Sequence, residues 1–155
     1  MLGDKIPRLA DIKTESGLND SADVKYLVIL RNLFDVASFY KARAEEAREW
    51  TPDRGAMSAI KEWNRVLGWA SDHSEKANTF VLCYETFFFG DTEPRELYDF
   101  LEVPAEHIET LNTALEAFRK ESAGLETRRL NILSPNERME ICRRGKFAAY
   151  RKLLD

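Results

Sequence analysis

Two short apolar runs, far apart in the chain, constrain the fold more than anything else in this sequence. Lys25-Tyr26-Leu27-Val28-Ile29-Leu30 and Thr79-Phe80-Val81-Leu82-Cys83-Tyr84 are rich in β-formers and almost free of charge. Runs of that length and continuity fit strands buried on both faces of a sheet, since a strand with one wet face alternates. The sequence between them is patterned for helices. From Asn32 onward Phe34, Ala37, Ser38 and Ala42 recur at helical spacing among charges, carrying a helix on to about Trp50. Thr51-Pro52-Asp53 is a break that supplies a turn proline and a capping carboxylate. A second helix follows, with Ile60, Trp63, Val66, Leu67 and Ala70 forming a buried stripe and Lys61, Glu62, Arg65 and Asp72 facing water. Those stripe residues are core, not a cofactor pocket. Strands joined through helices call for a βαβ crossover, so the sheet is parallel.

The C-terminal half reads as helical. Pro94 to Leu101, Ala105 to Glu121 and one or two helices within Pro135 to Tyr150 are expected, with Ser134 as an N-cap. Glu116 to Arg129 is a mixed-charge helix and loop facing water. Two strands are few for a sheet, because open edges and faces need neighbours. Either the segment from Asp11 to Lys25 adds an element, or the chain pairs with a second copy, or it belongs to a longer ancestral domain.

Composition narrows the function classes. A length of 155 residues suits one domain, and 44% hydrophobic with 32% charged residues is a globular profile. A net charge of −4 argues against general binding to nucleic-acid phosphates, so any anion site must be local. Cys83 and Cys142 lie in apolar-rich segments without metal-ligand spacing and read as reduced core thiols. No metal is implied. There is no apolar run long enough for a membrane span, and Met1-Leu2-Gly3-Asp4-Lys5 lacks the apolar run of a signal peptide, which points to a cytoplasmic compartment.

Chemistry is expected at the C-terminal ends of the strands, where parallel sheets bind ligands and helix N-termini present N–H groups to anions. Arg31 stands at that place, and its fork of donors can take two phosphate oxygens at once. The alternative is an arginine capping a surface loop. Ser38 could add a hydroxyl, or be bonded back to its own helical turn.

At this point the residues resemble a known family. Tyr26-Leu27-Val28-Ile29-Leu30-Arg31-Asn32-Leu33-Phe34-Asp35-Val36-Ala37-Ser38-Phe39-Tyr40 is similar to the strand, loop and helix with which PAPS-dependent sulfotransferases bind the 3′-phosphate of their donor. Phe80-Val81-Leu82-Cys83-Tyr84-Glu85 resembles the family's second signature strand, and Leu97-Tyr98-Asp99-Phe100-Leu101-Glu102-Val103-Pro104 the helix and turn after it. Gly3-Asp4-Lys5-Ile6-Pro7-Arg8 and Ser134-Pro135 match the family's flanking elements in order and spacing, so the resemblance spans nearly the whole chain. It implies a partial P-loop-NTPase-like α/β fold: residues 1–155 as one sulfotransferase-like domain, truncated at its N-terminal side, with a short parallel sheet flanked by helices.

By the same resemblance Arg31 grips the 3′-phosphate, Arg43 assists it, Tyr84 packs by the adenine and Lys5 sits near the sulfuryl bridge as the catalytic residue. The co-substrate would be PAPS, leaving as PAP, and the acceptor a hydroxyl or amine compound of unknown identity. The other partners would be a second copy or a complementing N-terminal half. Arg143-Arg144-Gly145 is similar to a basic stretch that touches the 3′-phosphate in the family's cytosolic branch, with a solvated helix face as the alternative.

Three departures bear on activity. Leu33 replaces the family's proline, and Phe39 stands where its serine is expected, with Ser38 one helical step of about 100° away. Most important, no glycine-rich loop for the 5′-phosphosulfate is found, and the family's catalytic base comes from that same region. His73 and His107 read as surface histidines rather than replacements for it. The readings that result are a sulfotransferase, or the C-terminal half of one, and a non-catalytic nucleotide-binding or interaction module. A kinase fragment is disfavoured, since no Walker lysine loop is present. Phe87-Phe88-Phe89 cannot all face one core, and they close a substrate cleft, meet another subunit or pack within a loop.

Overall fold

The computed structural model describes residues 24–45, 55–90, 93–122 and 132–154. In chain order these form β1 (Tyr26–Leu30), α1 (Leu33–Glu45), α2 (Ala56–His73), β2 (Thr79–Cys83), α3 (Tyr84–Phe89), α4 (Arg95–Leu101), α5 (Ala105–Ser122), α6 (Pro135–Arg144) and α7 (Phe147–Lys152). Lys5, the continuation of the first helix to Trp50, the break at Thr51-Pro52-Asp53 and most of the segment from Asp11 lie outside the described residues. The two strands pair in parallel, Tyr26 opposite Thr79 through Leu30 opposite Cys83, with α1 and α2 as the crossover that the sequence calls for. The result is a mixed α/β chain, mostly helical, around a two-stranded parallel sheet.

The expected burial of the first strand on both faces is not what the structure shows. Tyr26, Val28 and Leu30 are buried, whereas Leu27 and Ile29 on the other face are 39% and 54% exposed. The cause lies in how the helices divide. Val28, Leu30 and Cys83 join the large core with residues of α1, α2, α6 and α7. The opposite face has a smaller core, in which Leu82 packs with Phe87 of α3 and Leu97 of α4. That second layer covers β2 and stops short of β1.

The large core follows from the helical pattern. Ile60, Trp63, Leu67 and Ala70 of α2 are buried, as their three- and four-residue spacing predicts, while Val66 is only partly buried and Ala56 and Ala59 extend the stripe; together they meet Leu33 and Ala37 of α1. Trp63 packs on Phe147 and Tyr150 of α7, with ring centroids 5.7 and 5.3 Å away. Ser134 caps α6 as expected, in a reciprocal capping box with Glu137. Glu137 also accepts from Lys41 at 2.7 Å, which ties α6 to α1. Burial works against its charge, but the Lys41 ammonium and the Ser134 donors outweigh that and hold the carboxyl below its usual range.

Two boundaries differ from the sequence reading. β2 ends at Cys83, and Tyr84 opens α3. The Thr86 hydroxyl donates to the Cys83 carbonyl at 3.1 Å, capping the strand end with a helical turn instead of a further ladder bond. Cys142 is exposed rather than a core thiol, because its neighbour Ile141 takes the buried position on α6. The turn from α6 into α7 depends on Gly145, where an added Cβ would lie 2.8 Å from the side chain of Leu33 and 2.9 Å from the Ile141 carbonyl. No described helix is long and apolar enough to cross a membrane.

Candidate functional site

Because Leu30 lies opposite Cys83, the two strands end side by side, and the residues following each are brought together. Arg31 and Asn32 leave β1 there, and Tyr84 and Glu85 leave β2. The Arg31 guanidinium sits over the Tyr84 ring, 4.5 Å from its centroid, and 3.6 Å from the Asp35 carboxylate one turn into α1. Stacking of this kind contributes on the order of 1 kcal/mol, and a part-exposed ion pair of that length less. Neither interaction uses up the five N–H donors of a guanidinium. The Nε atom of Arg31 is buried without a hydrogen-bond partner. That buried atom is closed to a ligand, so any donors left for one lie on the part-exposed rest of the guanidinium.

The backbone beneath Arg31 is held from several elements. Trp63 of α2 donates its indole N–H to the Arg31 carbonyl at 2.7 Å. The Asn32 N–H donates to Glu85 at 2.8 Å, across 53 residues of sequence. The Asn32 side chain accepts from the Phe34 N–H at 2.9 Å and so closes the start of α1. The second oxygen of Glu85 accepts from the Tyr150 hydroxyl at 3.0 Å, which adds α7 to the clamp. Phe147 and the Gly145 turn bring α7 to that position, Phe147 stacking on Phe34 at 6.0 Å.

This clamp fixes the protonation of its neighbours. Burial and then the Glu85 charge push the Cys83 thiol up to about 11, a shift that its hydrogen bond with Tyr150 only partly offsets. Burial, the same carboxylate and Cys83 push the Tyr150 hydroxyl well above its ordinary range. At neutral pH both are protonated, so neither is a nucleophile or a base. Both Glu85 oxygens are spent on donors of the protein itself.

The other residues singled out from sequence are arranged less favourably. Ser38 is fully buried and donates to the Phe34 carbonyl at 2.8 Å, back to its own turn and with no surface for a ligand. Arg43 lies about 15 Å further along α1 than its first residue, with its guanidinium over Phe39 at 5.3 Å. Arg143 and Arg144 both reach Glu140, at 2.8 and 2.6 Å, and stay exposed, although Gly145 beside them touches the start of α1. His73 stacks on Trp69 at 4.2 Å, and His107 is exposed on α5. The three phenylalanines divide, since Phe87 enters the smaller core and Phe88 packs against it, while Phe88 and Phe89 flank Tyr84 at 4.6 and 5.8 Å. Lys5 is outside the described residues.

Arg31 and Tyr84 thus come together, and Ser38 and Arg43 do not join them. Glu85, Trp63 and Tyr150 carry the support, and the sequence pattern assigns none of them a role in the site. Glu85 was legible as the neighbour of Tyr84 in the second signature, whereas nothing local marks Trp63 or Tyr150 as more than core aromatics. Fold and site together define a parallel α/β layer with a stacked arginine at its strand ends. No protein-family model matches the chain, and no curated protein or solved structure does either.

Proposed function

We propose that the chain is a cytoplasmic sulfotransferase-like protein, or the C-terminal half of such an enzyme, in which Arg31 binds the 3′-phosphate of PAPS. The observation that carries this reading is the meeting of Arg31 and Tyr84 at the ends of adjacent parallel strands. These are the residues that the sequence resemblance assigns to the phosphate and the adenine, and strand ends are where such sheets take ligands. In the transfer the acceptor oxygen or nitrogen forms a bond to sulfur as the bond from sulfur to the bridging phosphate oxygen breaks. The acceptor's proton goes to a base and PAP leaves with the growing charge. Lys5 is the residue proposed to steady that charge.

A second reading, a non-catalytic nucleotide-binding or interaction module on the same fold, also has an observation in its favour. Asp35 lies 3.6 Å from the Arg31 guanidinium and would oppose a phosphate there, while the Ser38 hydroxyl is turned inward. Calorimetric titration with PAP, run on the chain and on Arg31→Ala, decides whether the site exists. Saturable binding that falls at least about tenfold in the variant supports a nucleotide site. Binding unchanged by the substitution, or none, ends this reading for the chain on its own. Sulfuryl transfer from PAPS to a simple phenol or amine then separates enzyme from module.

A further inference from the structure

The parallel sheet has two strands, so among the described residues β2 pairs on one side only. Along its other side runs a groove of about 280 Å³. All four residues from Phe80 to Cys83 line it, although successive side chains of a strand point to opposite faces. A groove on one face could not touch them all, so it follows the edge of the strand, where the main chain has no ladder partner among the described residues.

The walls say what would fit. Phe87 and Leu97 stand on the side of the smaller core, and Leu153, which packs against the large core, closes the other side with Leu154 next to it in sequence. A strand laid in this channel would have apolar walls on both its faces, which calls for a continuous apolar run rather than an alternating one. Glu93 and Glu96 also line the groove and are exposed, and among its lining residues they are the charged ones. A second copy is a poor occupant on that ground. Two-fold pairing of β2 with β2 keeps the faces of the two sheets continuous and sets both pairs of glutamates on the same side. Basic residues flanking the occupant are complementary.

We propose that the outer edge of β2, the one facing away from β1, binds an extended apolar peptide segment, flanked by lysine or arginine, as an added strand. The proposal does not depend on the nucleotide reading. The probe is a short capped peptide of valine, isoleucine and threonine with a lysine at each end, titrated calorimetrically into the full chain. Saturable binding is expected, weakened about tenfold in the Glu93→Lys/Glu96→Lys variant, which should gain binding of the counterpart ended by aspartates. Both substitutions fall on exposed residues, and circular dichroism confirms that the variant keeps its fold. Two isomers of the peptide, N-methylated on alternate sets of amides, test the main-chain bonding, and one of them should bind at least about tenfold more weakly. No binding of the lysine peptide, equal binding of both methylated isomers, or indifference to the charge reversal would each overturn the proposal. A sedimenting dimer that the peptide does not dissociate would overturn it as well, by assigning the edge to a second copy.

Discussion

The two faces of the sheet are built differently. One carries α1, α2, α6 and α7 over both strands, with Leu33, Leu67 and Ile141 fully buried beneath them. The other carries a small cluster of Leu82, Phe87 and Leu97 over β2 alone, and leaves Leu27 and Ile29 of β1 to solvent. Both strands have apolar side chains on both faces, so the difference does not come from the strands. It comes from which helices have long enough apolar stripes to wrap a sheet. α2 has eighteen residues with a regular buried stripe, whereas α3 and α4 have six and seven, and α5, though also eighteen residues long, buries none of its residues from Ala105 to Glu121. The candidate site sits between the two layers, its backbone pinned from the thick side by Trp63 and Tyr150 and its arginine leaning on Tyr84, which opens the thin one.

The sharpest way to break this contrast is to remove one leucine from each layer. Leu67→Ala should cost about 4 kcal/mol and Leu97→Ala about 2, since cavity cost grows with how completely the surroundings enclose the lost atoms. Urea unfolding of the two variants measures it. Equal losses would mean that the thin layer is as rigid as the thick one. A biphasic curve for Leu97→Ala alone would mean that the layers unfold separately.

A second test probes the seam between the layers through pH. The buried thiol of Cys83 has its pKa raised from 9.0 to about 11. A raised pKa means that the folded state holds its proton more tightly than the unfolded one. The contribution is therefore complete below pH 9 and is lost as pH rises from about 9 towards 11. It amounts to about 2 to 3 kcal/mol when complete, and Tyr150, also raised, acts in the same direction. Unfolding free energy should fall over that range in the native chain and fall less in Cys83→Ala. Identical profiles would show that the seam is wetter than its packing implies.

How far the sequence foretold these features follows from the range of the interactions involved. The βαβ crossover, the stripe on α2 and the Ser134 cap are properties of neighbouring residues, and each is found where the pattern placed it. Arg31 and Tyr84 were marked by the motifs around them. What the pattern does not encode is partnership between distant segments. An apolar run in β1 says that two faces could be buried, and only the reach of α3 to α5 decides that one is not. In the same way Ser38 sits at helical spacing that suits a ligand contact or a core position equally, and the packing of Leu33 and Ala37 beside it turns it inward. The clamp of Trp63, Glu85 and Tyr150 ties α2, α3 and α7 to the residues that follow β1, and no local signal announces it.

The smallest expected effect falls on the bare strip itself. Ile29→Lys should change stability by no more than about 0.5 kcal/mol, because a side chain that is 54% exposed loses little by meeting water as an ammonium. The comparison position is Leu82 on β2, which shares that face of the sheet but lies beneath the thin layer. There Leu82→Lys should cost several times more, about 3 kcal/mol or above, by burying an unpaired charge. The Ile29 substitution also sharpens the functional reading, since it adds a positive charge two residues before Arg31. An added ammonium near Arg31 should leave PAP affinity unchanged or raise it. If Ile29→Lys instead costs as much as Leu82→Lys, then something covers β1 in solution, and the asymmetry of the two faces belongs to the isolated chain rather than to its working form.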